Sequence, residues 1–177
     1  MSLNIIVCAK QVMDPETPLS AFNVDEAAKR VIPAQGIPPV VNGFCENAVE
    51  AALKIKESAG DATVTIISVG TDFVMDVMKK PLSMGADQMI LIQDPAAENL
   101  DALGTATVLS KAIEKTGEAD IIICGQQASD WDNAHVPLGI SEMLGVACLS
   151  EARSIDLGDG TVTVASSRSD GYEVFEA

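Results

Sequence analysis

Two kinds of apolar pattern alternate along the chain. Short runs rich in Val and Ile occupy residues 4–9, 63–69, 88–92 and 120–124, and longer segments between them repeat apolar residues every three or four positions. The short runs predict strands and the longer segments predict helices. Strands that alternate with helices are typical of parallel sheets. The sequence therefore predicts an α/β fold, with a Rossmann-like parallel sheet and flanking helices.

Capping residues give the expected bounds of the first two helices. Asn42 precedes an amphipathic segment that Gly60 follows, which predicts a helix with an asparagine N-cap and a glycine at its end. We expect Asp72 to cap a second helix that runs to about Met84. Pro81 must kink this helix or end it early, because proline cannot continue a regular helix.

The same signals bound two further helices. Asp101 precedes the third helical pattern and Gly117 follows it. The fourth helix is expected to begin within residues 133–137, because proline is tolerated in a first helical turn, and to end at Gly145.

Two other regions depart from the strand and helix rhythm. Residues 161–167 and 172–177 look like strands joined by the turn RSDG, which predicts a C-terminal antiparallel β-hairpin. The chain ends after this hairpin, and we expect it to lack further C-terminal elements. Residues 11–41 hold several prolines and little periodicity; a functional ordered loop and a partly mobile surface excursion both remain open.

Composition narrows the number of domains. The chain has 177 residues, of which 47% are hydrophobic and only 3% aromatic. This is enough for one core filled by aliphatic side chains and too little to make two ordinary domains the expectation. We expect a single domain over residues 1–177.

Charge excludes one class of partner. The 26 acidic and 11 basic residues give a formal net charge of −15, which repels nucleic acid phosphates and anionic lipid. We therefore expect no nucleic acid binding. The excess acidity indicates either a solvated surface or attraction of a basic protein partner.

The cysteines and the hydropathy indicate the compartment. Four cysteines are scattered without CxxC spacing, as expected for reduced thiols in a cytoplasmic protein. The apolar run at residues 5–8 is too short for a signal peptide, and no apolar stretch approaches the roughly 20 residues of a membrane span.

Several common site motifs are missing from the sequence. The first predicted strand is not followed by GxGxxG, and GxxxxGK[ST] does not occur, so a dinucleotide fingerprint and a P-loop are both disfavoured. One histidine and dispersed cysteines give no zinc spacing. We assign no catalytic triad and no metal site.

The loop after the fourth predicted strand is the main candidate site. It begins GQQASDWDNAHV at Gly125 and leads into a helix. Backbone N–H groups from about Gln126 to Val136 can face one point, with the positive end of the helix behind them, and such an arrangement binds anions. A phosphate group fits this expectation.

The side chains of this loop have two interpretations each. Asp130 and Asp132 would repel a phosphate, so we expect them to turn away and accept hydrogen bonds from loop N–H groups. One interpretation of His135 is that it donates a hydrogen bond to a phosphate oxygen, and the other is that its role is structural. Trp131 anchors another protein or packs over the loop.

Four motifs in order give a resemblance to a known family. They are VCAKQVMD at 7–14, NGFCENAVEAALKIKE at 42–57, GADQMILI at 85–92 and GQQASDWDNAHVPLGISEMLG at 125–145. With these motifs the chain resembles the β subunit of electron-transfer flavoprotein, whose fold is adenine nucleotide α-hydrolase-like. The similarity runs from Asn4 to the last residue.

The resemblance implies a partner and two cofactors. Such a β subunit pairs with an α subunit that holds FAD, and it binds AMP, or a second FAD in the branch that splits electron pairs. The pair carries electrons from flavin dehydrogenases such as acyl-CoA dehydrogenases, without covalent catalysis and hence without an enzymatic role for this subunit.

The resemblance also implies a set of nucleotide contacts at the carboxyl ends of the strands, and it places the Phe44 ring near the flavin held by the partner. The residues are Cys8, Ala9, Asn42, Gly43, Phe44, Cys45, Val69, Gly70, Gly125, Gln126, Gln127, Ala128, Asp130, Asp132, Asn133, Ala134, His135 and Val136.

The sequence departs from the family pattern at two motifs. Gly43 replaces the proline of N-P-F, which loosens a turn. His135, Val136 and Pro137 stand where many members read Q-[VT]-G, so an imidazole replaces an amide and one backbone N–H is lost.

An alternative class remains open from the residues alone. A universal-stress-type sensor uses a similar sheet to bind ATP or AMP without electron transfer, but it would not need the NGFC motif. An α-hydrolase of the pyrophosphatase kind is weakened by the lack of an SGG-type loop after the first strand.

Overall fold

The computed structural model describes residues 2–117, 119–158 and 160–177. It contains strands and helices in an order that matches the predicted βα rhythm. The strands are β1 Leu3–Cys8, β2 Gln11–Val12, β3 Asn23–Asp25, β4 Arg30–Ile32, β5 Val40–Val41, β6 Ala62–Gly70, β7 Gln88–Gln93, β8 Ile121–Cys124, β9 Ala152–Leu157, β10 Val162–Arg168 and β11 Gly171–Glu176. The helices are α1 Gly43–Ala59, α2 Met75–Met78, α3 Lys80–Met84, α4 Ala102–Thr116 and α5 Val136–Leu144.

The central sheet is parallel and has the order β7-β6-β1-β8. The four runs predicted as strands form it. Each of the pairs β1 with β6, β1 with β8, and β6 with β7 is parallel. The predicted α/β fold with a Rossmann-like sheet is therefore confirmed.

Helices cover both faces of this sheet. Successive side chains of β1 point to opposite faces, so they alternate between two apolar layers. Ile5 and Val7 face a layer that includes Val49, Ala52 and other residues of α1. Ile6 and Cys8 face a second layer built from α4 and α5. Burial on both faces explains why the strands read as continuous apolar runs.

The bounds of three helices agree with their capping signals. Asn42 is the N-cap residue of α1, and Gly60 ends this helix in the left-handed conformation, at φ 75°. Asp101 caps α4 by accepting a hydrogen bond from the Gly104 N–H at 2.7 Å. Gly145 ends α5 at φ 67°.

The predicted second helix is wrong in its start, whereas the interruption expected at Pro81 is present. Two short helices, α2 and α3, replace it, with Pro81 in the first turn of α3. The N-cap of α2 is Val74 and not Asp72, whose carboxylate accepts a hydrogen bond from the Phe73 N–H instead. The break at Pro81 follows from its missing N–H, as expected.

The proline-rich excursion at 11–41 is ordered by two small antiparallel pairs. β2 pairs with β5, and β3 pairs with β4. The first pair brings the chain back beside the end of β1 before α1 begins, and the Asn42 N–H donates to the Lys10 carbonyl at 2.9 Å. The excursion thus returns α1 to the edge of the sheet where β1 ends.

The C-terminal segment is a three-stranded antiparallel sheet with the order β11-β10-β9. The predicted hairpin is present as β10 and β11, and β9 is an additional strand that the sequence pattern did not reveal. β9 is mostly exposed, but Ile155 and Leu157 pack against the apolar layer around α1.

None of the helices in the described part of the chain is both long and apolar enough to cross a bilayer.

Candidate functional site

The sheet has a topological switch point between β1 and β8. From β1 the chain adds β6 and then β7 on one side, and it returns through α4 to place β8 on the other side of β1. In open α/β sheets, ligands bind in the crevice outside the carboxyl ends of the strands at such a point. Cys8 ends β1 and Cys124 ends β8, directly paired across this crevice.

The loop after β8 lies against the start of α1. A Cβ atom on Gly125 would lie 2.8 Å from the carbonyl carbon of Phe44 and 2.9 Å from the backbone nitrogen of Cys45. Real Cβ atoms do not approach other atoms so closely, and only glycine fits without a shift of one backbone. Gly125 therefore brings two predicted contact segments together.

Asn42 fixes the position of the loop through its side chain. Its Nδ2 atom donates to the Gln127 carbonyl at 2.8 Å, and its Oδ1 atom accepts from the Ser129 N–H at 3.2 Å. The residue is 1% exposed, so these bonds compensate the burial of its amide. Although Asn42 occupies the N-cap position, its side chain makes no capping hydrogen bond. The side chain bridges to the loop instead.

The backbone of the loop is tightly turned. The Ala128 carbonyl accepts hydrogen bonds from Trp131 N–H at 3.1 Å and Asp132 N–H at 2.8 Å. Asp132 and Ala134 have φ values of 51° and 53°, a left-handed conformation that costs a non-glycine residue about 1–2 kcal/mol. His135 follows Ala134 in a right-handed conformation, and alternating left- and right-handed residues are the backbone pattern of anion-binding nests.

Part of the predicted amide cradle is already used by the protein. Within the fully described segment 126–136, the N–H groups of Ser129, Trp131 and Asp132 donate to protein acceptors. Those remaining in this segment make no hydrogen bond to the described chain, including Ala134, His135 and Val136 beside the start of α5. The available donors therefore include residues 126–128 at the start of the loop as well as residues 133–136 at its end.

The predicted partners of the two loop aspartates are wrong. The Asp130 carboxylate accepts from Lys10 Nζ at 2.8 and 2.7 Å, and Asp132 Oδ1 accepts from Gln127 Nε2 at 2.8 Å. Both acceptors bind side chains rather than backbone N–H groups of the loop. Sequence reasoning missed Lys10, although it lies inside the VCAKQVMD motif.

His135 and Trp131 lie on the surface of the loop. His135 is the N-cap residue of α5 and its side chain makes no capping bond. Trp131 is 73% exposed, so the interpretation that it packs over the loop is wrong. Pro137 lies in the first turn of α5, where its missing N–H breaks no helical bond.

The remaining predicted nucleotide contacts lie at the same edge of the sheet, at different distances from the Gly125 loop. Val69 and Gly70 end β6, on the side of β1 away from β8, so about 10 Å separates them from the Gly125 loop at the usual strand spacing. Gly70 is close to Phe73, whose ring atoms would lie 3.2 Å from an added Cβ. Phe44 and Gly43 form the first turn of α1.

Three cysteines lie near the point where β1, β8 and α1 converge. The pKa of Cys8 is raised because its S–H donates to Cys124 and because it is buried, and the same hydrogen bond lowers the pKa of Cys124. Burial raises the pKa of Cys45, although hydrogen bonds from Asn42 and from the Lys10 and Gly125 N–H groups oppose this. Cys8 and Cys45 are thus protonated at neutral pH.

Two cavities lie away from the switch-point crevice. The two cavities described in the structure, of about 360 and 390 Å³, lie around α1, α2 and α3 and include no residue of the loop 125–136. Among the described residues no group of three or more His, Cys, Asp or Glu side chains is placed to hold a metal ion. The groups that the site offers are therefore main-chain N–H donors of the loop.

Comparison with known proteins identifies the family of this chain. The family model for the electron transfer flavoprotein domain matches residues 29–176. The chain belongs to this family. The matched range contains α1, the parallel strands β6, β7 and β8, and the loop that follows β8.

Relatives of this family match along nearly the whole chain. An electron transfer flavoprotein subunit beta from Megasphaera elsdenii is 38% identical over 99% of this chain and 65% of its own length. The caffeyl-CoA reductase-Etf complex subunit CarD from Acetobacterium woodii is 32% identical over 98% of this chain and 64% of its own. The protein FixA of Azorhizobium caulinodans is 32% identical over 98% of this chain and 62% of its own. The chain thus spans a little less than two thirds of the length of these relatives.

Proposed function

We propose that this chain is the nucleotide-binding part of a β-type subunit of electron-transfer flavoprotein. The observation that carries the proposal is the loop 125–136, which Asn42 holds against the start of α1 at the switch point of the sheet. The loop follows β8 at the same edge of the sheet as the ends of β1 and β6. The nucleotide phosphate would bind the end of this loop.

The other contact residues follow from this placement. Cys8 and Ala9 at the end of β1, residues 42–45 at the start of α1, and Val69 with Gly70 would contact the nucleoside part. All of these segments lie at one edge of the sheet. The role of the protein groups is to bind and orient; no acid, base or nucleophile is required of them.

The cofactors and partners belong to the same proposal. AMP or a second FAD would occupy the site, and an α subunit would supply the redox-active FAD. Electrons would arrive from a flavin dehydrogenase, for which acyl-CoA dehydrogenases are the model class. The family match favours this function over a universal-stress-type sensor.

Isothermal titration calorimetry with AMP and with FAD tests nucleotide binding. We expect one site for at least one of them, and we expect Asn42→Asp to weaken binding at least tenfold. The new carboxylate faces the Gln127 carbonyl without a donor, and loss of such buried bonds costs about 1–3 kcal/mol. Asn47→Asp, at an exposed position of the same helix, is the control. Absence of binding by the unaltered chain contradicts the nucleotide site.

Co-purification tests the partner separately. The chain, produced together with an FAD-carrying α subunit of the family, is expected to yield a complex with a flavin absorption band. A colourless mixture of separate chains would contradict the proposed pairing, whatever the calorimetry shows.

A further inference from the structure

Cys8 and Cys124 form a pair at the ends of neighbouring strands. They are the last residues of β1 and β8 and are directly opposite each other in the parallel register. Directly paired residues project to the same face of a sheet, here the face covered by α4 and α5. Neighbouring strands lie about 4.8 Å apart, inside the roughly 4.4–6.8 Å Cα separation that disulfides require.

Both residues carry free thiols. Their interaction raises the pKa of Cys8 and lowers the pKa of Cys124. All four cysteines of the chain are thiols, and Cys148 is exposed. A bond between the two sulfur atoms requires the ends of β1 and β8 to move closer together.

The position of the pair permits those movements. β8 is a four-residue strand at one edge of the parallel sheet, and Cys124 is its last residue. A disulfide needs a Cβ separation of about 3.5–4.5 Å, shorter than a regular parallel ladder provides. A strand end can close this gap more easily than a strand interior, because no further ladder pair follows it.

The two thiols differ in accessibility. Cys124 is half-buried, whereas Cys8 is 8% exposed. The hydrogen bond from Cys8 also favours the thiolate of Cys124. Because Cys124 is the more exposed residue of the pair, it is the one that an external reagent meets first.

We propose that Cys8 and Cys124 are a redox-sensitive dithiol that a low-molecular-weight disulfide, such as oxidised glutathione, converts into an intramolecular disulfide. The Cys124 thiolate attacks one glutathione sulfur, forms a mixed disulfide and releases one glutathione thiolate, which takes up a proton. Cys8 loses its proton to solvent and attacks the Cys124 sulfur, which releases the second glutathione. Two protein thiols are oxidised and one glutathione disulfide is reduced to two thiols.

Cys45 is the nearby thiol that this proposal leaves reduced. It belongs to the apolar layer on the α1 face of the sheet, opposite to the face of Cys8 and Cys124. Asn42 Nδ2 contacts its sulfur at 3.2 Å. Formation of the disulfide depends on neither Cys45 nor a bound nucleotide.

Thiol counting in the Cys148→Ser variant tests the proposal. This exposed position is distant from the pair in sequence, and its removal prevents links between chains. After treatment with oxidised glutathione, the three remaining thiols are expected to fall to one under denaturing conditions, with a mass loss of about 2 Da. Trypsin should then release the peptide ending at Lys10 joined to the peptide that begins after Lys115.

Two variants in the same background identify the partners. Cys45→Ser should still form the link, and Cys8→Ser should instead keep glutathione attached to Cys124. The proposal is overturned if three thiols survive, if Cys124 of the Cys148→Ser protein stops at the mixed disulfide, or if the linked peptide contains Cys45. The same linked peptide is expected from the unaltered chain, which would show that the Cys148 substitution does not cause the link.

Discussion

Lys10 and Asp130 form an ion pair that ties the loop after β8 to the chain just after β1. Its side chains are 42% and 27% exposed, so solvent screens the attraction and the pair is worth only about 0.2–1 kcal/mol. The position of the pair matters for a bound anion. The Asp130 carboxylate repels an anion at this site, and the Lys10 ammonium group attracts one. The pair thus lowers the positive potential that Lys10 would otherwise present to a nucleotide.

Asp130→Asn is expected to tighten AMP binding by about two- to fivefold at low salt, since it removes a negative charge and releases the Lys10 ammonium. Lys10→Met should weaken binding by a similar factor. Calorimetry at two salt concentrations measures both, with Asp156→Asn on exposed β9 as the control. This prediction rests on the proposed nucleotide site, and equal weakening by both substitutions would contradict it.

Asp87 connects the end of α1 to the start of β6. Its carboxylate accepts from Lys56 Nζ at 2.5 Å and from the Val64 N–H at 2.8 Å. The hydrogen bond from Lys56, followed by that from Val64, lowers the pKa of Asp87 below its ordinary value. A carboxyl group with a lowered pKa in the folded state stabilises the fold above its unfolded pKa, and this contribution is lost as the pH falls through the folded pKa.

Asp87→Asn should therefore lower the melting temperature at pH 7 and have a diminishing effect below about pH 3.9, the ordinary pKa of aspartate. Melting curves of both proteins from pH 7 to pH 2.5 measure the difference. Asp61→Asn, an exposed aspartate nearby, is the control. A difference that stays constant over this range would show that the Asp87 charge contributes nothing.

At the scale of the element, the first residue of α1 is a glycine, although a larger residue would fit at this position. Gly43 is the first residue of the helix, and a Cβ atom added to it meets nothing within 4 Å. Proline suits this position because its missing N–H has no intrahelical partner. Asn42 has φ −55° and ψ 127°, which a following proline permits.

Gly43→Pro is accordingly expected to stabilise the chain by about 0.4–1 kcal/mol through the unfolded state, or about 1–4 °C in melting temperature. Gly60→Ala at the other end of α1 is the comparison. It should destabilise by about 1–2 kcal/mol because Gly60 has φ 75°. Lower stability of the proline variant would indicate that the Gly43 N–H or its flexibility is needed.

The elements themselves were predictable to different degrees. α1, α4 and α5 have apolar repeats with a glycine directly after the last turn, and their ends agree with the prediction. The predicted start of the second helix was wrong because the Asp72 side chain bonds to the adjacent Phe73 N–H and does not cap the helix. β9 was missed because only Ile155 and Leu157 in it face apolar neighbours.

At the scale of the molecule, the C-terminal sheet and the parallel sheet share one apolar layer. Ile155 and Leu157 of β9 pack against the cluster that contains α1 and the α1-facing side of β1. This contact supports the prediction that residues 1–177 behave as a single domain, which stays a prediction. If it is right, the two sheets unfold together.

Hydrogen exchange in increasing urea tests this coupling, with peptides from β6 and β10 compared in one experiment. We expect both to exchange in a single transition in the unaltered chain. Ile155→Ala should expose β10 at lower urea than β6, with a loss of about 1–2 kcal/mol for the half-buried side chain. Ser154→Ala on the exposed face of β9 is the control, and separate transitions in the unaltered chain would argue for two domains.

The sequence by itself determined the strand runs, most helix ends, the family motifs and the loop at Gly125, because apolar periodicity and backbone preferences act over a few residues. The tertiary structure alone decided which groups meet. Asn42 bonds to Gln127 across 85 positions, and Lys10 to Asp130 across 120. The pairing of Cys8 with Cys124 depends likewise on the return of the chain from β7 to the other side of β1. Strand order and register arise from packing between distant segments, and no local pattern in the sequence carries that information.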